Sequence, residues 1–524
     1  MSAVCTSVDG LRLKFAGSPS LLFNDISFSV TAGQKVLLLG PSGCGKSTLL
    51  QVLTGLIPNV IEVPVKFDEI TIPSSWGYVF QDPETQFCMP FVDEEIAFVL
   101  ENLGVPRERM KAMIEDGLRR VGLHLPDLHM PIQSMSQGMK QRLAIASVLA
   151  LEPDVLFFDE PTALLDPEGT KQVWDTIKAV ADQKTVLIVE HKIDEIVDFV
   201  DRVVLFSADG AIIADGPPQQ VFEQNEAKLQ EYGIWYPGVW DDYKESATYK
   251  ALSSRGRRTP RTPLAAETPE APASPGKGLL AIRDWSAYRG REAKLHVTEA
   301  QAGAGEWIAV VGENGAGKST LLQAMMQLIA TGGGSYELAG RSVKGFKDVA
   351  DAAAYVFQNP EMQFVTNSVL DEAAFGFRRD RAADAERLAL ELLAEFGLQA
   401  QQAQHPYQLS LGQKRRLSVA TAMAKEQRLV LLDEPTFGQD AANTFAILEK
   451  LEAWRQKGTT IVMVTHDLHI VDSFATRVWV VERGELVQDL LPADYLQALG
   501  TNLEAKTAAD PGEARTDDRI EMMK

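Results

Sequence analysis

Cysteine is scarce: only Cys5, Cys44 and Cys88 occur in 524 residues. An odd count without metal-ligand spacing excludes a disulfide framework and a zinc ribbon, and it fits free thiols in a reducing compartment. Long apolar runs are missing too, none approaching the roughly 18 residues that cross a bilayer. Basic residues are in deficit, with 51 Lys and Arg against 72 Asp and Glu and a formal net charge of −21. A surface of that sign repels nucleic-acid phosphate and anionic lipid, which argues against a general nucleic-acid binder. The opening MSAVCTSVDG lacks a basic-then-apolar pattern, so the expected compartment is the cytoplasm. What is present is ordinary globular material, 45% hydrophobic and 23% charged. At about 150 residues per domain the length suits two large domains or three smaller ones.

The chain repeats itself. GPSGCGKST at Gly40 to Thr48 returns as GENGAGKST at Gly312 to Thr320, an offset of 272 residues. VFQDPETQF returns as VFQNPEMQF and FFDEPT as LLDEPT, at offsets of 277 and 274. Order and spacing held over several motifs mean one domain duplicated in tandem. The expected divisions are a first domain over 1–244, a flexible Pro-rich linker over 245–278, a second domain over 279–500 and a polar, disordered tail over 501–524. Apolar runs at Val36 to Leu39, Val155 to Phe158, Ile308 to Val311 and Leu429 to Leu432 read as buried strands. Their alternation with helical stretches such as Lys140 to Leu151 predicts a mainly parallel α/β sheet in each copy.

The pattern G-x-x-x-x-G-K-[ST] follows an apolar strand in both copies, the context of a phosphate-cradling loop that opens a helix. Gly40, Gly43 and Gly45 let backbone N–H groups turn toward phosphate, and the helix N-terminus adds its dipole. Lys46 and Lys318 place charge over the phosphates, and the hydroxyls of Ser47 and Ser319 suit Mg²⁺. The remaining loop residues, Pro41, Ser42, Cys44, Thr48, Gly312, Glu313, Asn314, Gly315, Ala316, Gly317 and Thr320, complete the two cradles. Asp159 and Asp433 end apolar strands and suit a metal-orienting role, while the adjacent Glu160 and Glu434 suit the positioning of water.

Together these motifs resemble the ATP-binding-cassette (ABC) ATPase family, twice over. The resemblance implies two α/β P-loop ATPase domains, each a RecA-like core with a helical subdomain, forming an internal pseudo-dimer that binds ATP and Mg²⁺. It implies that Gln81 and Gln358 touch Mg²⁺ and sense a membrane partner, and that His191 and His466 lie near the γ-phosphate. It places Phe15 and Tyr288 against adenine. The family's L-S-G-G-Q signature stands here as MSQGM and LSLGQ. Ser136, Gly138, Ser410, Gly412 and Gln413 keep its nucleotide-contacting positions, with Met139 replacing a glutamine. Since the family binds ATP between cassettes, the resemblance pairs the first phosphate loop with Ser410, Gly412 and Gln413, and the second with Ser136, Gly138 and Met139. A thioether cannot replace an amide's hydrogen bonds, so the second of these sites is expected to be the weaker. Both glutamates and both histidines are present, unlike the fused sugar-importer ATPases with their degenerate second loop. Asp166 and Asp440 keep the acid of the D-loops. His124, His129, His296, His405 and His469 read as ordinary surface or core histidines.

A second glutamine, Gln86 or Gln363, follows the first by five residues. This Q-[DN]-P-E-x-Q-F pattern resembles the energy-coupling-factor importers of vitamins and transition-metal ions, as do VDEEIAFVLENLGVP and DGPPQQVF. That resemblance implies an integral-membrane scaffold subunit and a small substrate-binding membrane subunit as partners, with this chain peripheral on the cytoplasmic face of the cell membrane. The substrate would be a thiamine-like vitamin, its precursor, or cobalt. Asp93, Glu94, Asp371 and Glu372 either receive basic residues of the partner or form solvated helix starts. YGIWYPGVWDDY, Tyr232 to Tyr243, reads as a packed extension rather than a ligand box. Two alternatives stay open: the ATPase of another ABC transporter with a large permease pair, and a soluble fused-ABC translation factor. The short Pro-rich linker and the net charge of −21 oppose the second.

Overall fold

The computed structural model describes residues 3–256 and 278–509, apart from 16–19, 42, 164, 166, 381 and 426. The chain packs as two compact units, Met1–Val239 with Asp440–Ala442 and Trp240–Gln439 with Asn443–Lys524.

In the first unit the predicted strands form a six-stranded sheet. Its order is Ile212–Gly216, Arg202–Phe206, Lys35–Leu39, Thr185–Val189, Val155–Asp159 and Trp76–Val79. All neighbours are parallel except the first pair. Val36, Leu37, Leu38, Phe157 and Phe158 are fully buried, as strands covered on both faces must be. The order brings the loops that follow four of these strands to one edge, the carboxyl edge where open α/β sheets bind ligands. A separate antiparallel sheet pairs Val4–Leu13 with Phe23–Thr31 and with the short strands Val65–Lys66 and Glu69–Thr71. The parallel expectation therefore holds for the core, while a second, antiparallel layer joins it in one hydrophobic cluster through Val8, Leu11, Leu13, Phe23 and Phe28. Helices Val92–Asn102, Arg107–Arg120 and Gln137–Leu149 lie between strands Trp76–Val79 and Val155–Asp159 in the chain and supply the helical subdomain.

The second unit repeats the plan, with both layers merged into a single ten-stranded sheet. Its core strands run in the order Arg477–Glu482, Trp307–Val311, Thr460–Val464, Leu429–Asp433 and Ala353–Val356. Leu280–Arg289, Glu292–Ala302 and Ala330–Leu338 form the antiparallel part. Helices Val369–Arg379, Ala385–Glu395 and Leu411–Met423 match the three inserted helices of the first unit. Trp307 and Trp479 are fully buried in this core.

The stretch expected to close the first domain and begin the linker packs instead in the second unit. Residues Val239–Glu245 and Ala247–Gly256 are helical. Tyr243 stacks on Phe445 with ring centroids 3.9 Å apart, and Trp240 meets Phe445 edge-on at 4.9 Å and stacks on His469 at 5.2 Å. Lys244 pairs with Asp472 at 2.7 Å, and Tyr249 packs against Phe474. These contacts bear out packing as the role of the aromatic stretch, and they give His469 a structural partner. The Pro-rich residues 257–277 lie outside the described residues, as do 510–524, while helix Pro492–Ala509 runs into the expected tail.

Candidate nucleotide sites

Each site is built where the core strands end. Lys35–Leu39 runs into the phosphate loop, where Gly40, Gly43 and Gly45 take φ values of 157°, 86° and 104°. A Cβ on Gly40 would lie 2.8 Å from Cys44 Sγ, and one on Gly45 2.6 Å from the Phe23 ring, so glycine is required for space as well as for backbone freedom. Helix Lys46–Leu53 follows, and Lys46, only 6% exposed, turns Nζ back to donate to the carbonyls of Gly40 at 2.8 Å and Pro41 at 3.0 Å. Lys318 does the same to Gly312 at 2.7 Å and Glu313 at 2.8 Å. Ser42 and Asp166 lie outside the described residues.

Ser47 Oγ donates to Asp159 Oδ1 at 2.6 Å, and Ser319 Oγ to Asp433 Oδ1 at 3.1 Å. The other carboxylate oxygen is held by a tyrosine: Tyr78 donates to Asp159 Oδ2 at 2.8 Å and Tyr355 to Asp433 Oδ2 at 3.2 Å. Sequence reasoning missed both tyrosines, although their recurrence in WGYVFQ and AAYVFQ carried the signal. Burial raises the Asp159 carboxyl above its ordinary range against the hydrogen bonds from Ser47 and Tyr78, and Asp433 behaves alike.

Glu160 and Glu434 stand one residue beyond these aspartates at φ of 47° and 51°, a left-handed strain that non-glycine residues keep chiefly at functional sites. Gln81 Nε2 donates to Glu160 Oε2 at 2.8 Å, and His191 Nε2 stands 3.0 Å from Oε1. In the second unit Gln358 reaches Glu434 Oε2 at 3.3 Å and His466 Nε2 stands 3.1 Å from Oε1. Burial pushes the Glu160 carboxyl up, but pairing with His191 outweighs it and the net shift is downward; Glu434 follows the same balance with His466. His191 is raised, burial being outweighed by Glu160. Within each unit the structure thus brings together the loop lysine, serine, aspartate, glutamate, glutamine and histidine singled out from sequence.

The signature residues stand apart on their own helices. Ser136 caps helix Gln137–Leu149 by accepting from Met139 N at 3.3 Å, and Ser410 caps Leu411–Met423 through Gln413 N at 3.3 Å. Gln413 also returns its Oε1 to Ser410 N at 2.9 Å, closing a capping box that Met139 cannot close. Gly138 and Gly412 sit in the first turns of these helices. Phe15 is 42% exposed two residues beyond strand Val4–Leu13, and Tyr288 is half-buried in Leu280–Arg289.

Two features of the glutamine loops are structural. Gln86 Nε2 donates to Ala144 O at 3.2 Å and Gln363 Nε2 to Ser418 O at 2.8 Å, bolting each loop to its signature helix. Glu372 is 4% exposed and accepts from Val365 N, Thr366 N and Thr366 Oγ1, so it is closed to an outside partner; Glu95 does the same to Cys88 N and Met89 N. Asp93 faces His129 at 3.0 Å and Asp371 faces Arg378 at 2.7 Å.

The donors fit ATP with Mg²⁺. A hydroxyl beside a carboxylate offers two hard oxygen ligands. That suits an ion that keeps waters and phosphate oxygens as its other ligands. The crowded glycine loop and inward lysine match a phosphate cradle.

Comparison with known proteins agrees. The sequence model of the family described as ABC transporter matches residues 23–163 and 295–437. The chain is 36% identical, over 95% of its length and 94% of the relative's, to a Bacillus subtilis protein provisionally named HMP/thiamine import ATP-binding protein YkoD. It is 36% identical to a provisionally assigned ABC transporter ATP-binding protein of Streptococcus pneumoniae, covering 90% of this chain and 88% of that one. In fold it is similar to an archaeal ribosome recycling factor, aABCE1, solved with the stalk protein aP1, with TM-score 0.62, 19% identity and coverage of 94% and 92%. The chain therefore belongs to the ABC transporter family, as an ATPase in which two ATP-binding domains are fused.

Proposed function

We propose that this chain is the ATP-hydrolysing subunit of a membrane importer of the energy-coupling-factor type, taking up a vitamin of the thiamine kind, its precursor, or cobalt. The observation that carries the reading is the presence of two chemically complete sites, each with the glutamine donating to one glutamate oxygen and the histidine standing 3.0 or 3.1 Å from the other. The doubled glutamine loops and the name of the Bacillus subtilis relative support the subtype.

In this reading Glu160 and Glu434 orient and polarise the attacking water. Gln81 and His191 hold one oxygen each of the Glu160 carboxylate, which keeps further lone pairs for water. Lys46 and Lys318 leave their own loop carbonyls to meet phosphate. Asp159 with Ser47, and Asp433 with Ser319, would hold Mg²⁺, with Gln81 and Gln358 as further ligands, and the ion would supply neutralisation of charge on the phosphates. His191 and His466 face the γ-phosphate end. No helix of the described residues is long and apolar enough to cross a membrane. In this reading uptake uses separate membrane subunits, a scaffold and a small substrate binder, with this chain peripheral on the cytoplasmic face.

The test is affinity purification of the tagged chain from native membranes in mild detergent, with mass spectrometry of what accompanies it. One scaffold and one small membrane protein are expected. A large permease pair, or ribosomes, would keep the ATPase and discard the importer subtype.

A further inference from the structure

The two halves differ at the residue before the histidine: Glu190 precedes His191, whereas Thr465 precedes His466. Glu190 is 3% exposed, and both of its carboxylate oxygens are engaged. Oε2 accepts from Thr162 Oγ1 at 2.7 Å, and Oε1 accepts from the His191 backbone N–H at 2.8 Å. Thr162, itself 5% exposed, stands two residues beyond Glu160 on the same loop. One buried carboxylate therefore joins the loop that carries Glu160 to the loop that carries His191. In the second half Thr465 Oγ1 accepts instead from Asp467 N at 3.1 Å, a bond inside its own loop. Burying a carboxyl is unfavourable even when it is bonded, and the second half builds the same fold with a threonine. The fold does not need Glu190, which directs attention to the site.

We propose that Glu190 is a positioning residue of the first ATP site, clamping the His191 loop to the Glu160 loop, and that the second site works without such a clamp. The proposal rests on the assignment of Glu160 as the group that polarises water. Thr162 Oγ1 and the His191 N–H both donate, a demand that the carboxylate meets on two oxygens and that the neutral acid meets poorly, having a proton of its own to place. The charged groups around the clamp are Glu160 and His191, with Lys46 acting on His191 from the phosphate-loop helix. Burial first, and the charge of Glu160 after it, push the Glu190 carboxyl up to about 7. The charged clamp is lost on mild acidification, and first-site turnover declines with it.

The experiment measures steady-state phosphate release and KM for ATP across about pH 5.5 to 9 on the full chain, as native, Glu190→Thr, Glu190→Gln and, as a blank, Glu160→Gln with Glu434→Gln. Thermal unfolding of each variant verifies folding. Glu190→Thr, the residue of the second half, is expected to lower kcat by up to about twofold near pH 8, the second site still turning over, to leave KM within about twofold, and to flatten the acid limb near neutrality. Glu190→Gln, of the same shape without the charge, is expected to flatten the same limb, and it decides the matter if the threonine variant fails to fold. Profiles of both variants that superimpose on the native profile would overturn the proposal. A blank that still releases phosphate would overturn the assignment of Glu160 instead.

Discussion

Trp240 is the sharpest probe of how the second unit is held together. It is 7% exposed, meets Phe445 edge-on at 4.9 Å and stacks on His469 at 5.2 Å. Its two supports are functional neighbours: Phe445 belongs to helix Ala441–Gln456, and His469 belongs to helix Leu468–Phe474, which begins two residues after His466. Trp240→Ala removes a large side chain from a packed aromatic cluster whose other members, Tyr243, Tyr249 and Phe474, stay locked on each other. A cavity that cannot collapse costs about 3 to 5 kcal/mol for a tryptophan truncation, and for a unit of this size each kcal/mol lowers Tm by about 2 to 4 °C. Calorimetry of the full chain should therefore show a transition lowered by about 6 to 20 °C, with Trp240→Phe recovering about half of the loss by keeping the edge contact. A Trp240→Ala transition within about 1 °C of native would refute the packing argument, since no folded cluster loses a buried indole that cheaply.

Other outcomes follow from the loops, caps and charges. Gly312→Ala sets a Cβ 2.1 Å from Val481 O at a φ of 145°, whereas Gly43→Ala meets nothing within 4 Å and bears only the strain of φ 86°. Binding of a fluorescent ATP analogue at the second loop should fall more than about tenfold in the first variant, against a loss of only about 1 to 2 kcal/mol in stability for the second. Met139→Gln allows the first signature helix to close the box that Gln413 makes to Ser410 N, and unfolding curves should show a gain of about 0.5 kcal/mol. His191→Ala should cost most stability between the ordinary carboxyl and imidazole values, 4.5 and 6.5. The lowered Glu160 carboxyl gives up its share only as pH falls through its folded value, and the raised His191 gives up its share as pH rises through its own. A variant-to-native difference in Tm that grew above pH 8, by about the same amount as below pH 4, would contradict that sign.

Much of the site was legible because the chemistry needs particular residues at fixed places, and duplication wrote each of them twice. The phosphate loops, Asp159, Glu160 and their counterparts needed no tertiary knowledge beyond the strand before them, while His191 and His466 were marked by the family resemblance. What was not legible depends on neighbours far away in sequence. Tyr78 reads as one more apolar strand residue until Asp159 is seen across the sheet, 81 positions on. Gln86 reads as a marker of subtype until its amide is found on Ala144 O, and Glu372 reads as a surface acid until three donors close around it. The helices Val239–Glu245 and Ala247–Gly256 carry no strong periodic signal of their own. They are fixed by Phe445, His469 and Phe474, so sequence reading placed that stretch with the wrong neighbour.

The central claim is that Glu160 and Glu434 make both halves of this chain working ATPases. The most direct test is the double variant Glu160→Gln with Glu434→Gln, assayed for retained radiolabelled ATP and for steady-state phosphate release beside the native chain. Retained ATP with phosphate release reduced to background is the predicted result. Phosphate release at the native rate would contradict the account, because water would then be activated by groups other than the two glutamates.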